Sequence, residues 1–347
     1  ALLVLLIPFQ FITSRYGTVN VGMVYLAFVA FAMQGRIRRL PYLPVVAVIV
    51  FAYLLSMALS LPSSYRAQAL YLINVFASFP LFYLIYNHFY RQPDARFAVW
   101  LLVWLNVLVL VYSLLQVVVG FDRYALFGIS EWSIGGNRED NRLIGPFGTP
   151  GVNGSFYILQ ILVLLYAFLR FEGFTVRAFL GLNALGNFAM LVGTGSRGAF
   201  LALIFGTCLF LFMFRQRLGT LRLLAVVSLG AAGMAVAALL MITFTPFGTL
   251  FERLAGTEFE GVVPDTRTTV WALALERIPD AIMFGHGPRI RYEEMSQAFA
   301  RDIFIGYPHN LYLFLLYSIG AVGLGAWLAW FATLALHWLG VARRQTE

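Results

Sequence analysis

The chain of 347 residues contains no lysine and one cysteine, and only 12% of its residues are charged. The lone Cys208 excludes an intramolecular disulfide framework and any metal site built from paired cysteines. Such low charge, with 61% hydrophobic residues and a mean hydropathy of +0.81, excludes an ordinary water-soluble domain. The sequence therefore predicts an integral membrane protein.

Several catalytic motifs are also missing. The sequence has no His-Glu-x-x-His, no Asp-x-Asp and no Walker-type Gly-Lys loop, and the short loop 12–16 carries no acidic residue. Transferases that hold a divalent ion through loop residues need acidic ligands there. These absences disfavour a metal-dependent transferase.

Long apolar runs dominate the sequence, and because about 20 apolar residues cross a bilayer as a helix, they predict an all-α fold. We expect a polytopic bundle of about 10–12 transmembrane helices. The chain begins without methionine, so we expect the first span to be cut. The runs lie at about 1–11, 16–33, 42–60, 67–86, 97–119, 155–169, 178–194, 198–214, 223–243 and 321–339.

All 24 basic residues are arginine, and they are placed unevenly. The short loops on one side, together with the C-terminal tail, hold 12 arginines, whereas the short loops on the other side hold three, Arg15, Arg66 and Arg197. Cytoplasmic loops are enriched in basic residues, so the first side is predicted to be cytoplasmic. Since the arginines form no stripe or tail, they favour membrane topology over a nucleic-acid partner.

Three parts are predicted along the chain. A transmembrane bundle spans 1–245, an outward loop subdomain with helices spans 246–308, and a half-helix with the last transmembrane helix spans 309–347. Within the loop, we expect a helix at 266–278 and an amphipathic stretch at 291–304.

The apolar run 309–318 is too short to cross a hydrocarbon core of about 30 Å. It is predicted to enter from the outer face and to break at Gly320 or at 323–325 before the last span. This assignment also leaves the C-terminal arginines in the cytoplasm, as the distribution of basic residues requires.

Four arginines are predicted at the outer boundary, namely Arg142, Arg197, Arg267 and Arg289. The guanidinium group suits bidentate recognition of phosphate, so several of them converging would fit a lipid-linked diphosphate. The alternative for each is a cation that anchors a helix end at the interface or forms an ion pair at the rim.

Two histidines and a tryptophan are further candidates. His309 follows a proline and begins the half-helix, and a neutral histidine is suited to accept a proton from a hydroxyl. His286, in a Gly-His-Gly-Pro turn, is a weaker candidate. Trp271 is a candidate for contacting substrate, with packing on its own helix as the alternative.

Four segments occur in one order along the chain. They are Arg142-x-x-Gly-x-Phe-x-x-Pro150, Thr194-Gly-Ser-Arg197-Gly, Arg267-x-x-x-Trp271 followed by Gly-His-Gly, and His309-Asn310 before a short apolar helix. Together they resemble the O-antigen ligase and polymerase superfamily of bacterial envelope glycosyltransferases. One departure is that the asparagine expected directly after Pro150 is displaced to Asn153 or absent.

The resemblance implies a GT-C-like membrane fold and a glycosyltransferase without metal or cofactor. The donor would be a glycan on undecaprenyl diphosphate, used on the periplasmic face of the bacterial inner membrane. In the ligase branch, the acceptor is a lipid A-core sugar, so the reaction completes lipopolysaccharide biosynthesis. We prefer this branch because the chain has one compact long loop, although a polymerase of O-antigen or exopolysaccharide and a protein O-oligosaccharyltransferase share the motifs.

Roles for individual residues also follow from the resemblance. Arg197 and Arg267 would hold the diphosphate, with Arg142 and Arg289 as helpers. His309 would act as general base on the acceptor hydroxyl, oriented by Asn310 or a neighbouring residue. Direct attack would invert the anomeric configuration. A transporter of anionic lipids is disfavoured, because we find no inverted repeats and few ionisable residues within the spans.

Overall fold

A computed structural model describes residues 4–5, 13–14, 17–60, 65–91, 94–119, 142–245, 266–288 and 310–344. Within these ranges the chain is helical apart from turns and two short strands, β1 (Thr13–Ser14) and β2 (Gly17–Thr18), which pair antiparallel. Five helical segments there are long and apolar enough to cross a membrane: Gln68–Tyr90, Arg96–Val119, Pro150–Arg170, Phe174–Gly193 and Leu311–His337. The predicted all-α, polytopic membrane fold is confirmed.

The helices follow the apolar runs of the sequence. In chain order they are α1 Val19–Met33, α2 Leu43–Leu59, α3 Tyr65–Phe76, α4 Ser78–Arg91, α5 Ala95–Val119, α6 Pro150–Arg170, α7 Phe174–Gly193, α8 Arg197–Leu218, α9 Thr220–Phe244, α10 Thr266–Arg277 and α11 Leu311–Arg344. A 3-10 turn, Ile278–Ala281, follows α10 and contains Pro279. The loop helix therefore ends before this proline, as predicted.

The chain divides into two compact units, Ala1–Ile12 with Asp94–Phe259 and Thr13–Pro93 with Glu260–Glu347. In the first unit, α7 packs against α6 and α9, and α8 packs against α6. Its core includes Leu143, Tyr157 and Leu191, which are fully buried. A Cβ atom on Gly154 would lie 2.7 Å from the Cβ of Ala199, so the glycine permits the close approach of α6 and α8.

Buried amide side chains cross the middle of the first unit. Asn106 on α5 donates from Nδ2 to Oδ1 of Asn183 on α7 at 3.4 Å. The hydroxyls of Ser113 and Tyr157 lie 2.6 Å apart and join α5 to α6. Interhelical hydrogen bonds of this kind contribute about 0.6–2 kcal/mol each in a membrane. The apolar composition of these spans gives no indication of these contacts.

In the second unit, α11 packs along α2 around Ile49, Tyr53 and Ile319. The loop helix α10 packs on α11 through a smaller cluster that includes Ala274 and Tyr317. This packing positions α10 and the turn after it against the first part of α11.

The helix α11 is broken at Gly320, where φ is 68° and ψ is −172°. The break releases backbone groups that lipid cannot satisfy. Three of the hydrogen bonds that replace the helical ones are His286 N–H to the Tyr317 carbonyl at 2.8 Å, Gly287 N–H to the Ser318 carbonyl at 3.1 Å, and Ala321 N–H to the Ile282 carbonyl at 2.7 Å. The break predicted at Gly320 or 323–325 is confirmed at the first position.

Two glycines allow the turn after α10 to lie directly against the break in α11. A Cβ atom on Gly320 would overlap the backbone of Met283, and one on Gly285 would overlap the backbone of Ser318. Both glycines also have positive φ. The Ser56 hydroxyl adds a 2.6 Å hydrogen bond to the Ser318 carbonyl and ties α2 to the same point.

We expect Gly320→Ala to lower the free energy of unfolding by about 2 kcal/mol or more, because the new methyl group meets backbone and the left-handed conformation is strained. Thermal unfolding in detergent measures the change. Gly325→Ala is the matched control, since a Cβ there meets nothing within 4 Å. Equal melting temperatures for the two variants would contradict this account of the break.

Candidate functional site

The segment that carries Arg142 docks on the turn between α7 and α8. The backbone N–H of Leu143 donates to the Gly193 carbonyl at 2.8 Å. The Nε of Arg142 donates to the Thr194 carbonyl at 3.0 Å. The structure thus brings together the first and second of the four sequence segments, which lie about 50 residues apart in the chain.

Two amide side chains fix the backbone conformation of the Arg142 segment through hydrogen bonds. The backbone N–H of Gly145 donates to Oε1 of Gln116 at 2.9 Å. The Nδ2 of Asn153 donates to the Thr149 carbonyl at 2.8 Å and also to the Ile144 carbonyl. Asn153 therefore has a structural contact in this segment, and Gln116 is a residue that the sequence analysis missed. An amide at the end of an apolar run was the only signal for it.

The turn itself places Arg197 at the start of a helix. Thr194 Oγ1 donates to the Leu191 carbonyl at 2.7 Å, and Ser196 Oγ caps α8 by accepting from the Ala199 N–H at 3.4 Å. Gly195 takes the positive φ of 60° that the reversal requires. Arg197 is the first residue of α8 and is half-buried.

This end of the first unit suits an anion. The N-terminus of a helix carries a partial positive charge, and its first N–H groups point away from the helix. The α8 terminus has no acidic residue in its first turn. With Arg142 bonded to the same turn, it can donate hydrogen bonds to a phosphate group.

A second group of arginines lies at the opposite end of α6 and α7. Arg170 ends α6, and Arg177 donates from Nε to the Phe171 carbonyl at 3.1 Å. The guanidinium of Arg96 lies over the Phe171 ring, 5.7 Å from its centroid. Arg142 and Arg197 are thus separated from these arginines by the length of the helices. That the end with Arg142 and Arg197 faces outward stays a prediction from the arginine distribution.

In the second unit, Arg267 is the second residue of α10, so its backbone lies in the first helical turn. Its side chain lies outside the described part of the structure. Trp271, one turn later, has 36% of its surface exposed. Its predicted substrate contact stays a prediction.

His286 has a structural environment. Its Nε2 lies 2.8 Å from the Arg277 carbonyl, and its ring centroid is 4.6 Å from that of Tyr317. Together with its backbone bond at the helix break, these contacts favour the structural interpretation of this histidine over a catalytic one.

Asn310 caps the broken helix. Its Oδ1 accepts hydrogen bonds from the N–H groups of Tyr312 at 3.0 Å and Leu313 at 3.2 Å. This satisfies two of the N–H groups that a helix start leaves without partners. His309, Arg289 and the stretch 291–304 lie outside the described residues, so their predicted structure and roles stay predictions.

Residues 182–328 match the sequence model of the family described as O-antigen ligase. The matched range includes Arg197, Arg267, the Gly-His-Gly turn and the break at Gly320. No curated protein and no solved structure matches the chain significantly. The match confirms the resemblance to the O-antigen ligase superfamily, whose members are glycosyltransferase-like ligases and polymerases.

The two ends of the first unit can be assigned to membrane faces by chemical labelling. Single cysteines at positions 142 and 197, in a Cys208→Ser background, should react with an impermeant maleimide added to the periplasmic side. Cysteines at 170 and 177 are the matched controls and should react only after permeabilisation. The opposite pattern would overturn the orientation inferred from the arginine distribution.

Proposed function

We propose that this chain is an O-antigen ligase. It transfers a glycan from undecaprenyl diphosphate to a sugar hydroxyl of lipid A-core and so completes lipopolysaccharide. The single observation that carries the proposal is the family match over residues 182–328. The docking of the Arg142 segment on the turn before Arg197 supports it, because it places the Arg142 side chain at the turn that begins α8, where an anion can bind.

The placement of two arginines favours a diphosphate as the ligand. Arg197 and Arg267 both lie in the first turn of a helix, α8 and α10. An anion bound at such a position interacts favourably with both the helix dipole and the guanidinium group. A lipid-linked diphosphate is such an anion. As the glycosidic bond breaks, charge accumulates on the leaving diphosphate, and fixed guanidinium groups stabilise it.

His309 is the proposed general base. It takes the proton of the acceptor hydroxyl as that oxygen attacks the anomeric carbon, and direct attack inverts the configuration there. Asn310 follows it directly and caps α11, which restrains the backbone beside the histidine. Arg142, Arg289 and Trp271 assist in binding substrate.

No metal ion or cofactor is required by this chemistry. A diphosphate is a good leaving group, so positioning, guanidinium groups and one base are sufficient. We place the reaction on the periplasmic face of the inner membrane, since the arginine-rich short loops then lie in the cytoplasm. The proposed division into a bundle (1–245), a periplasmic subdomain (246–308) and a C-terminal part (309–347) fits this placement.

A chain polymerase is the second candidate, because the same superfamily includes polymerases. It would use the same donor but would add the glycan to another lipid-linked glycan. A protein O-oligosaccharyltransferase would use a hydroxyl of a protein. The three activities differ only in the acceptor, so the acceptor distinguishes them.

Glycan transfer in proteoliposomes tests the proposal. Purified protein is supplied with an undecaprenyl-diphosphate-linked glycan and lipid A-core in the presence of EDTA. We expect glycan to appear on lipid A-core. Lengthening of the donor glycan instead would assign a polymerase, and loss of activity in EDTA would contradict the metal-independent chemistry.

His309→Ala and Arg267→Ala should each lower the transfer rate about 100-fold or more, through loss of the base and of charge stabilisation. Arg36→Ala is the matched control, because this exposed arginine lies in the loop after α1 and contacts the ring of Phe31. Melting temperatures close to that of the wild type establish that the variants fold. Full activity in either variant would remove that residue from the mechanism.

A further inference from the structure

The turn between α6 and α7, at the end of the first unit opposite Arg197, forms a charged cleft. The cleft has a volume of about 370 Å³ and is lined by Arg96, Arg170, Phe171 and Glu172. The lining includes two arginines and one glutamate, so the cleft carries a net positive charge. Phe171 is buried beneath it and supports Arg96 through the ring contact.

An apolar groove begins at the same turn. It has a volume of about 650 Å³, and its lining includes Phe168, Phe174, Leu182 and Leu185. The groove is also lined by Gly173, the residue directly after Glu172 of the cleft.

Two further residues of the groove determine its open space and its charge. Gly181 contributes no side chain, and a Cβ there would meet nothing within 4 Å, so the groove is open at this point. Arg177 also lines it and, through its bond to the Phe171 carbonyl, lies beside the cleft. Basic and apolar surfaces therefore adjoin at one end of the helix pair.

We propose that this turn binds one anionic phospholipid of the surrounding bilayer. The phosphate accepts hydrogen bonds from Arg96, Arg170 and Arg177, and an acyl chain fills the groove along α7. Guanidinium groups bind phosphate oxygens in a bidentate manner. A zwitterionic lipid is disfavoured, because its own cation would enter a cleft that is already positive. This site is separate from the proposed transferase site and does not depend on that activity.

Native mass spectrometry of the full chain in detergent tests the proposal. The protein is titrated with phosphatidylglycerol or with phosphatidylcholine of the same acyl chains. We expect tighter binding of one phosphatidylglycerol. The double variant Arg96→Gln/Arg170→Gln should weaken that binding about 30-fold, since two arginines near the phosphate are lost. Equal affinity for the two lipids would overturn the proposal.

A second variant tests the groove without a change of charge. Gly181→Leu places a side chain in the open groove and should also weaken the binding of phosphatidylglycerol. The variant Arg36→Gln/Arg38→Gln removes two exposed arginines from another loop and should leave the binding unchanged. Equal weakening by that control, or full binding by Gly181→Leu, would contradict the site. Melting temperatures near that of the wild type show that the variants are folded.

Discussion

Inside a bilayer, a backbone amide or carbonyl group that leaves a helix finds no water to bind, and this constraint determines where the chain can be irregular. In the described part of the chain, two points of irregular backbone bond to a partner segment. At Gly320 the partner is the turn after α10, whose backbone bonds to the broken helix. At the turn between α7 and α8 the partner is the Arg142 segment, which bonds to Gly193 and Thr194. Among the described residues, these two points hold polar groups in a fixed arrangement.

The spans, the two-helix turn before Arg197 and the break in the last helix could be predicted from the sequence, because each rests on local composition or on glycine. The side chains that hydrogen-bond to these irregular segments could not be predicted from the sequence. Gln116 and Asn153 are single amides within or beside apolar runs, and the tertiary fold alone brings them to Gly145 and the Arg142 segment. The same holds for Asn106 and its bond to Asn183, which joins residues far apart in the chain.

The candidate site could be predicted in part. The sequence proposes its arginines from their position, and the structure adds that Arg142 bonds to the turn that presents Arg197. The sequence ranks His286 below His309 as a candidate, and the contacts of His286 are those of a structural residue. His309 remains the proposed base. A glycosyltransferase of this kind needs few catalytic groups, since the diphosphate leaving group lowers the demand for activation. The proposed mechanism relies on positioning and charge for the same reason.

The central claim is that the helix terminus at Arg197 binds the diphosphate of the donor. Its most direct test is the affinity of the purified protein for undecaprenyl diphosphate, compared between wild type and Arg197→Gln. The account predicts that the apparent Kd rises about tenfold or more in the variant, as expected for loss of a charge-assisted hydrogen bond to phosphate. An unchanged Kd in a folded Arg197→Gln protein would contradict it.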